Sequence, residues 1–525
     1  MAPSPPAAAP AAAEPTWIGH PRGLFLLFFV EMWERFSFYG MRALLIFYLT
    51  QHFLMTDRSA SFVYGAYMSL IYLSPLMGGY LADRYIGQRK SVLFGGIVIA
   101  IGHVVLGLEA DNAGAMGQGL FWLGLSTVIM GTGFLKSSAS ALVGQLYPKG
   151  DMRLDPAFTI FYMGINSGAF IGPIICGYLG QTWGWHWGFG AAAIGMIAGV
   201  VGFWFARPML GGRGEPRDPA MLAQKVGGVI SREWLVYLST IVAIAVCWFL
   251  IQNHDVVGLA LAVAGPLMAI YILWEAFVRM EPVARDRMLA ALFLLVVNPI
   301  FWGLYEQTGS SLNLFTDRYA DRTVLGFQVP ASVFQSVNAF YILTFGPVMA
   351  ALWIALAKRG REPSTAAKFG IAIILVGAGF LVLVAGTGTP GTLTPLVYVF
   401  LLYLCHTIGE LCLSPVGLSA MSKLAPARMA GLMMGIWFLA MALGQYAAGT
   451  ISAATGGENG AASRDDVLSV YSTIGWWSVG FGIAIMAVAP LVKRLMHTDR
   501  LGAEEAQAAG HPAGSDAYGI DREAR

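Results

Sequence analysis

The sequence predicts an all-α membrane protein of two six-helix bundles and two extra helices, fourteen transmembrane helices in all. Three observations predict it: a shortage of charge, a series of apolar runs long enough to cross a bilayer, and a one-sided distribution of Lys and Arg. Of the 525 residues, 57% are hydrophobic and only 12% charged, whereas about a quarter of a soluble domain is charged. The mean hydropathy is +0.64. So few charges cannot clothe a water-facing surface.

A helix needs about 20 apolar residues to cross the hydrocarbon. Such runs fall at 23–50, 60–82, 91–109, 118–146, 157–180 and 187–206, then at 233–252, 256–278, 289–315, 331–357, 368–387, 394–421, 429–453 and 470–492. An even count puts both termini on one side, and the Lys/Arg tally decides which. Assigning alternate loops to the cytoplasm places 25 of the 32 Lys and Arg there, counting Lys368 at the mouth of its span, with 4 outside and 3 within spans. The outer loop near 110–117 has none. A multi-pass protein of the cell inner membrane with both termini cytoplasmic is expected.

The Ala/Pro-rich residues 1–22 lack the basic and apolar regions of a signal peptide and read as a disordered cytoplasmic tail; 496–525 form a second tail. A net charge of +2 gives nucleic acid no purchase. Cys176, Cys247, Cys405 and Cys412 lie in apolar stretches without metal-type spacing, which predicts packing residues and no metal site. The longest basic, Pro/Gly-bearing connection, 207–232, precedes two plain apolar spans within 233–280. Setting these aside leaves an N-terminal bundle over 23–206 and a C-terminal one over 281–495, the plan of carriers whose halves rock around a midplane site.

Most informative are the charges inside spans: Glu31, Glu34, Arg35 and Arg42 in the first, Lys136 in the fourth, Glu306 in the ninth and Glu410 in the twelfth. Each costs roughly 2.5–3.5 kcal/mol at a helix centre, so they are expected to face a polar cavity and offset one another. Positions 31, 34, 35, 38 and 42 fall on one helical stripe. Three cations and four carboxylates could hold a zwitterion, cations at one end and a carboxylate at the other. The alternative is that they are buried ion pairs that only fix helix packing.

Several segments resemble one family. EMWERFSFYGMRALLIFYL at 31–49 is similar to the first-helix signature of the proton-dependent oligopeptide transporters, and FYMGINSGAFIGPIICGYLG at 161–180 to their fifth-helix signature. GGYLADRYIGQRK at 78–90 resembles the loop motif of the major facilitator superfamily. FWGLYEQTGSSLNLF at 301–315, VPASVFQSVNAFYI at 329–342 and GELCLSPVGLSAMSKLAP at 409–426 add to the likeness, and two extra spans stand where bacterial members carry an insertion. The resemblance implies a major facilitator superfamily fold and a proton-coupled importer of di- and tripeptides, working as a monomer in the lipid bilayer with protons as its coupling ion and no cofactor.

By position, the resemblance assigns Glu31, Glu34, Arg35, Lys136 and Glu306 to proton coupling. Arg35, Arg42 and Lys136 would hold the peptide carboxylate, Glu410 and Asn338 its amino end, and Asn166 its backbone amide. Tyr39, Tyr72, Trp302 and Trp437 would wall the side-chain pockets. Asp83, Arg84 and Arg89 of the loop motif would act in gating. Three positions depart from the family pattern: Phe38 for Tyr, Gly65 for the His of mammalian members, and Gln445 for Asn.

The chemistry of the charged set suits such a role, since a carboxylate near an Arg releases it on taking up a proton. His406, four residues before Glu410, could tune that carboxylate; His103 reads as packing. Pro75, Pro173, Pro299, Pro347 and Pro415 interrupt spans and can kink them. A carrier of nitrate, a drug or an amino acid derivative is the alternative within transport. An intramembrane enzyme would need a motif such as HExxH or GxSxG, and the sequence has neither.

Overall fold

The computed structural model describes residues 16–109, 115–148, 151–388, 391–456 and 460–497. The outer loop at 110–114, most of the N-terminal tail and residues 498–525 lie outside the described residues. Among those described, thirteen helical stretches are long and apolar enough to cross a membrane. The fourteenth crossing helix, α1 (Arg22–Phe47), is 26 residues long and falls short in apolarity through its own charged stripe. Next come α2 (Asp57–Ile86), α3 (Gln88–Glu109), α4 (Ala115–Gln145), α5 (Leu154–Thr182) and α6 (Trp185–Ala206). The extra pair is α7 (Arg232–Gln252) and α8 (His254–Arg279). The second set comprises α9 (Pro282–Tyr319), α10 (Ala331–Lys358), α11 (Thr365–Gly386), α12 (Leu396–Leu424), α13 (Ala430–Thr455) and α14 (Arg464–Leu495).

Several helices begin before the apolar run that marks them, because a polar cap starts the backbone ladder in the loop. Thr56, Ser231, Ser364 and Ser463 each accept a hydrogen bond from the backbone N–H three residues on, satisfying one of the orphan donors of a first turn. The disorder expected over 1–22 does not extend to its last residues. Thr16–Trp17 pairs with His20–Pro21 in a short hairpin, held where His20 Nδ1 meets Tyr147 Oη at 2.7 Å and Arg153 donates to the Gly19 carbonyl at 2.9 Å.

Packing repeats itself across the two halves. In the first, α3 lies against α4 and α6, α1 against α5, and α2 against α4; in the second, α11 lies against α12 and α14, α9 against α13, and α10 against α12. The halves meet where α2 crosses α13 and, by the same symmetry, where α10 crosses α5. The inserted pair divides between them: α7 packs on α4 and α2, while α8 leans on α9 and α13.

Polar contacts clamp the bundles together at the end where α1 gives way to α2. Arg318 grips Asp57 through two bonds of 2.5 and 2.8 Å, Asn313 Nδ2 donates to the Ala43 carbonyl at 3.2 Å, and the Ser332 backbone N–H and hydroxyl both donate to Gln181 Oε1. At Gly65 and Gly449 the α2–α13 crossing is backbone on backbone. A Cβ at Gly65 would sit 2.8 Å from the Gly449 Cα, and one at Gly449 equally close to the Gly65 Cα. This also explains Gly65 in place of a histidine: an imidazole there would force the helices apart. Gly449→Val is expected to destabilise the folded chain by about 1–3 kcal/mol, the usual cost of overpacking. A thermal melt in detergent unchanged by the substitution would contradict the tight crossing.

Candidate functional site

Between the bundles lies a cavity of about 280 Å³, just below the usual range for small-molecule pockets. Its wall includes Glu31, Arg35, Tyr39, Arg42, Tyr72, Lys136, Asn166, Trp302, Glu306, Asn338, Glu410 and Trp437. The structure thus gathers residues from α1, α2, α4, α5, α9, α10, α12 and α13 in one place. Glu34 stands behind the wall, fully buried, ion-paired with Arg35.

The first-bundle side carries all three cations, with Glu31 and Glu34 among them. Arg35 is shared between Glu34 and Glu31, the latter 3.2 Å away, and its guanidinium lies over the Phe38 ring at 5.4 Å. An aromatic face without a hydroxyl suits a cation that already has two carboxylates. Lys136 places its ammonium 4.5 Å from the centroid of the Tyr72 ring, a cation–π contact that holds the charge against the wall.

Across the interface Arg42 meets Glu306 in a buried ion pair, with the two side chains 7% and 2% exposed. Arg42 Nε donates to Tyr64 Oη at 2.8 Å, and Gln445 Nε2 donates to the other oxygen of Glu306 at 3.1 Å. Gln445, unexplained from sequence, thereby gains a reason: it reaches the carboxylate from α13. The ninth span reads as a single crossing over 289–315, but its helix breaks at the polar stretch EQTGSS, 306–311. It is helical over Pro282–Tyr305, tightens into a 3₁₀ turn at Glu306–Gly309 and resumes at Ser311–Tyr319. Discontinuous helices at charged midplane sites are a recurrent device in transporters. Gly309 is required there, since a Cβ would lie 2.0 Å from the Tyr64 hydroxyl and 2.8 Å from Arg42 Nη2.

At the second-bundle side Glu410 accepts from Tyr305 Oη at 2.6 Å and from Asn338 Nδ2 at 3.1 Å, and Asn338 also donates to Thr407 Oγ1 at 3.0 Å. Asn166 has its Nδ2 committed to the Tyr162 carbonyl of its own helix. His406 bonds the Val376 carbonyl at 3.2 Å and packs against Phe380. The loop motif lies away from the cavity: Asp83 accepts from Gln88 at 2.7 Å, Arg84 is exposed, and Arg89 pairs with Glu215 of the linker at 2.6 Å.

Tyr64, Tyr305, Thr407 and Gly309 escaped the sequence reading. Hydroxyls, aromatics and glycines are ordinary in membrane helices, and only Tyr305, directly before Glu306, had a neighbour that could have drawn attention to it.

A sequence model described as the POT family matches residues 89–463. The chain belongs to the POT family. Peptide transporter YePEPT of Yersinia enterocolitica is 40% identical, the match covering 83% of this chain and 88% of that one. The di-/tripeptide transporter of Lactococcus lactis is 34% identical over 81% and 88%. Among solved structures, that of a peptide transporter POT in complex with sulfate is similar with a TM-score of 0.79 and 33% identity, covering 92% of this chain and 97% of that one. The fold is therefore that of the major facilitator superfamily with two added helices.

Removing one partner of the Arg42–Glu306 pair strands a charge in a dry place, which typically costs about 3–5 kcal/mol. Arg42→Gln should lower the melting temperature, and Arg42→Gln with Glu306→Gln should regain most of the loss. A double variant less stable than the single would contradict the pairing.

Proposed function

We propose that this POT-family chain is a proton-coupled symporter that imports di- and tripeptides by alternating access. It works as a monomer in the cell inner membrane, both termini cytoplasmic, with protons as its coupling ion. The carrying observation is the division of one chamber into a cationic side, with Arg35, Arg42 and Lys136, and an opposite carboxylate, Glu410, steadied by Tyr305 and Asn338. A peptide's carboxylate suits the first and its ammonium the second, leaving its side chains to Tyr39, Tyr72, Trp302 and Trp437. Asn166 can offer its side-chain oxygen to the backbone amide. A longer peptide would set its termini too far apart for both clamps.

Charge arithmetic favours proton coupling. With every group ionised, the three cations and the four carboxylates Glu31, Glu34, Glu306 and Glu410 sum to −1; one proton brings the set to zero, and a zwitterion leaves it there. A proton on Glu306 dissolves its pair with Arg42, freeing the guanidinium for the peptide and loosening the bundles at the clamped end. That end faces outward in the expected orientation, and a chamber clamped there fits the inward-facing step of alternating access. Asp83, Arg84 and Arg89 lie at the opposite end, where closure would recruit them as a gate. A potential of about 100 mV and one pH unit supply roughly 2.3 and 1.4 kcal/mol per proton, enough to drive uphill uptake.

A second reading, an amino acid derivative as solute, is favoured by one observation: a POT family transporter 32% identical to this chain has been solved in complex with 5-aminolevulinic acid. Such a molecule offers the same two charged ends.

Two measurements test the reading. In proteoliposomes with an imposed pH gradient, Glu306→Gln should abolish concentrative dipeptide uptake while sparing exchange; persistent uphill uptake would remove Glu306 from the coupling role. Glu410→Gln should raise the KM by about ten- to a hundredfold, the worth of a hydrogen bond to a charged group. An N-acetylated dipeptide should lose as much against the unmodified chain, and the two losses should not add.

A further inference from the structure

We propose that the groove between α8, α9 and α13, with the arginine patch at its mouth, is a binding site for one anionic phospholipid. The groove has a volume of about 450 Å³, and every residue lining it is apolar. Ala262, Gly265 and Ala269 of α8 make it concave, and Leu292 and Val296 of α9 and Leu439 of α13 form its opposite sides. Val296 on its wall is 55% exposed, so the groove is open to the surroundings and in a bilayer an acyl chain covers it.

The headgroup end is charged. Ile272 lines the groove; Glu275 follows on the next turn and Arg279 four residues later, so the patch begins roughly 10 Å along the helix axis from the groove. Glu275 is almost fully buried, at 3% exposure, and accepts from Arg279 at 3.2 Å and from Arg428, in the α12–α13 turn, at 3.0 Å. Tyr271 donates to it as well. Two guanidinium groups against one carboxylate leave a positive charge over, and the arginine side chains are 54% and 52% exposed. Arg279 also stacks on Trp274 at 4.4 Å, an indole of the kind that settles at headgroup depth. Arg285 next to this patch is offset by Asp286. The patch therefore offers a phosphate donors on both α8 and the second bundle, and the groove takes the chain below it. A headgroup with net negative charge matches the surplus cation; a zwitterionic one brings its own cation against it.

The site rests on the reading of the chain as a membrane protein and not on its solute. Its test is native mass spectrometry of the full chain taken from vesicles of mixed phosphatidylglycerol and phosphatidylcholine. The unmodified chain should retain phosphatidylglycerol several-fold over phosphatidylcholine, with the preference shrinking as salt is raised. Arg279→Gln with Arg428→Gln should abolish the preference, and Ala262→Phe, which fills the groove, should reduce retention of the lipid. Equal retention of both lipids by the unmodified chain, or a preference untouched by salt and by both variants, would overturn the proposal. Dipeptide uptake in the same vesicles reports separately on the transport reading, so either can fail alone.

Discussion

The structure is organised around one buried ion pair between Arg42 and Glu306. The pair ties the two bundles together from within, beside the α2–α13 and α5–α10 crossings, and removing either partner would leave the other charge buried and uncompensated. Much nearby exists to permit it: Tyr64 and Gln445 each hold one partner, α9 leaves helical geometry at Glu306, and Gly309 keeps its Cα bare so that the guanidinium can pass. The same pair lies on the wall of the cavity, so packing of the halves and chemistry of the solute site are not independent.

The remaining ionisable groups follow a different logic. Arg35 is held by two carboxylates of its own helix, a cluster internal to the first bundle. Glu410 is held by neutral donors, Tyr305 and Asn338, within the second. A carboxylate solvated by neutral groups keeps its charge available to an arriving cation. Three cations set among their own carboxylates thus stand on the first-bundle side, and Glu410 faces them from the second bundle.

Much of this was legible because lipid punishes misplaced charge. Glu31, Arg35, Arg42, Lys136, Glu306 and Glu410 stand out against apolar surroundings, and their stripe on α1 follows from helical spacing alone. Groups that bear no charge left no such mark. Tyr64 and Tyr305 act through hydroxyls whose partners lie on other helices, and the break in α9 falls on the polar stretch EQTGSS at 306–311, which a search for long apolar runs passes over. Gln445 was visible only as a departure from a pattern. The hairpin at Thr16–Pro21 was hidden for another reason: it depends on Tyr147 and Arg153, more than a hundred residues away.

The crossing of Gly65 over Gly449 has a further consequence. Where Gly65 meets Gly449 main chain touches main chain, so no side chain at that point can swing aside to widen the seam by degrees, and packed interfaces of this kind switch between discrete arrangements. The seal there behaves as a latch with a shut and an open position. Its tightness is a property of the scaffold, indifferent to which molecule waits inside.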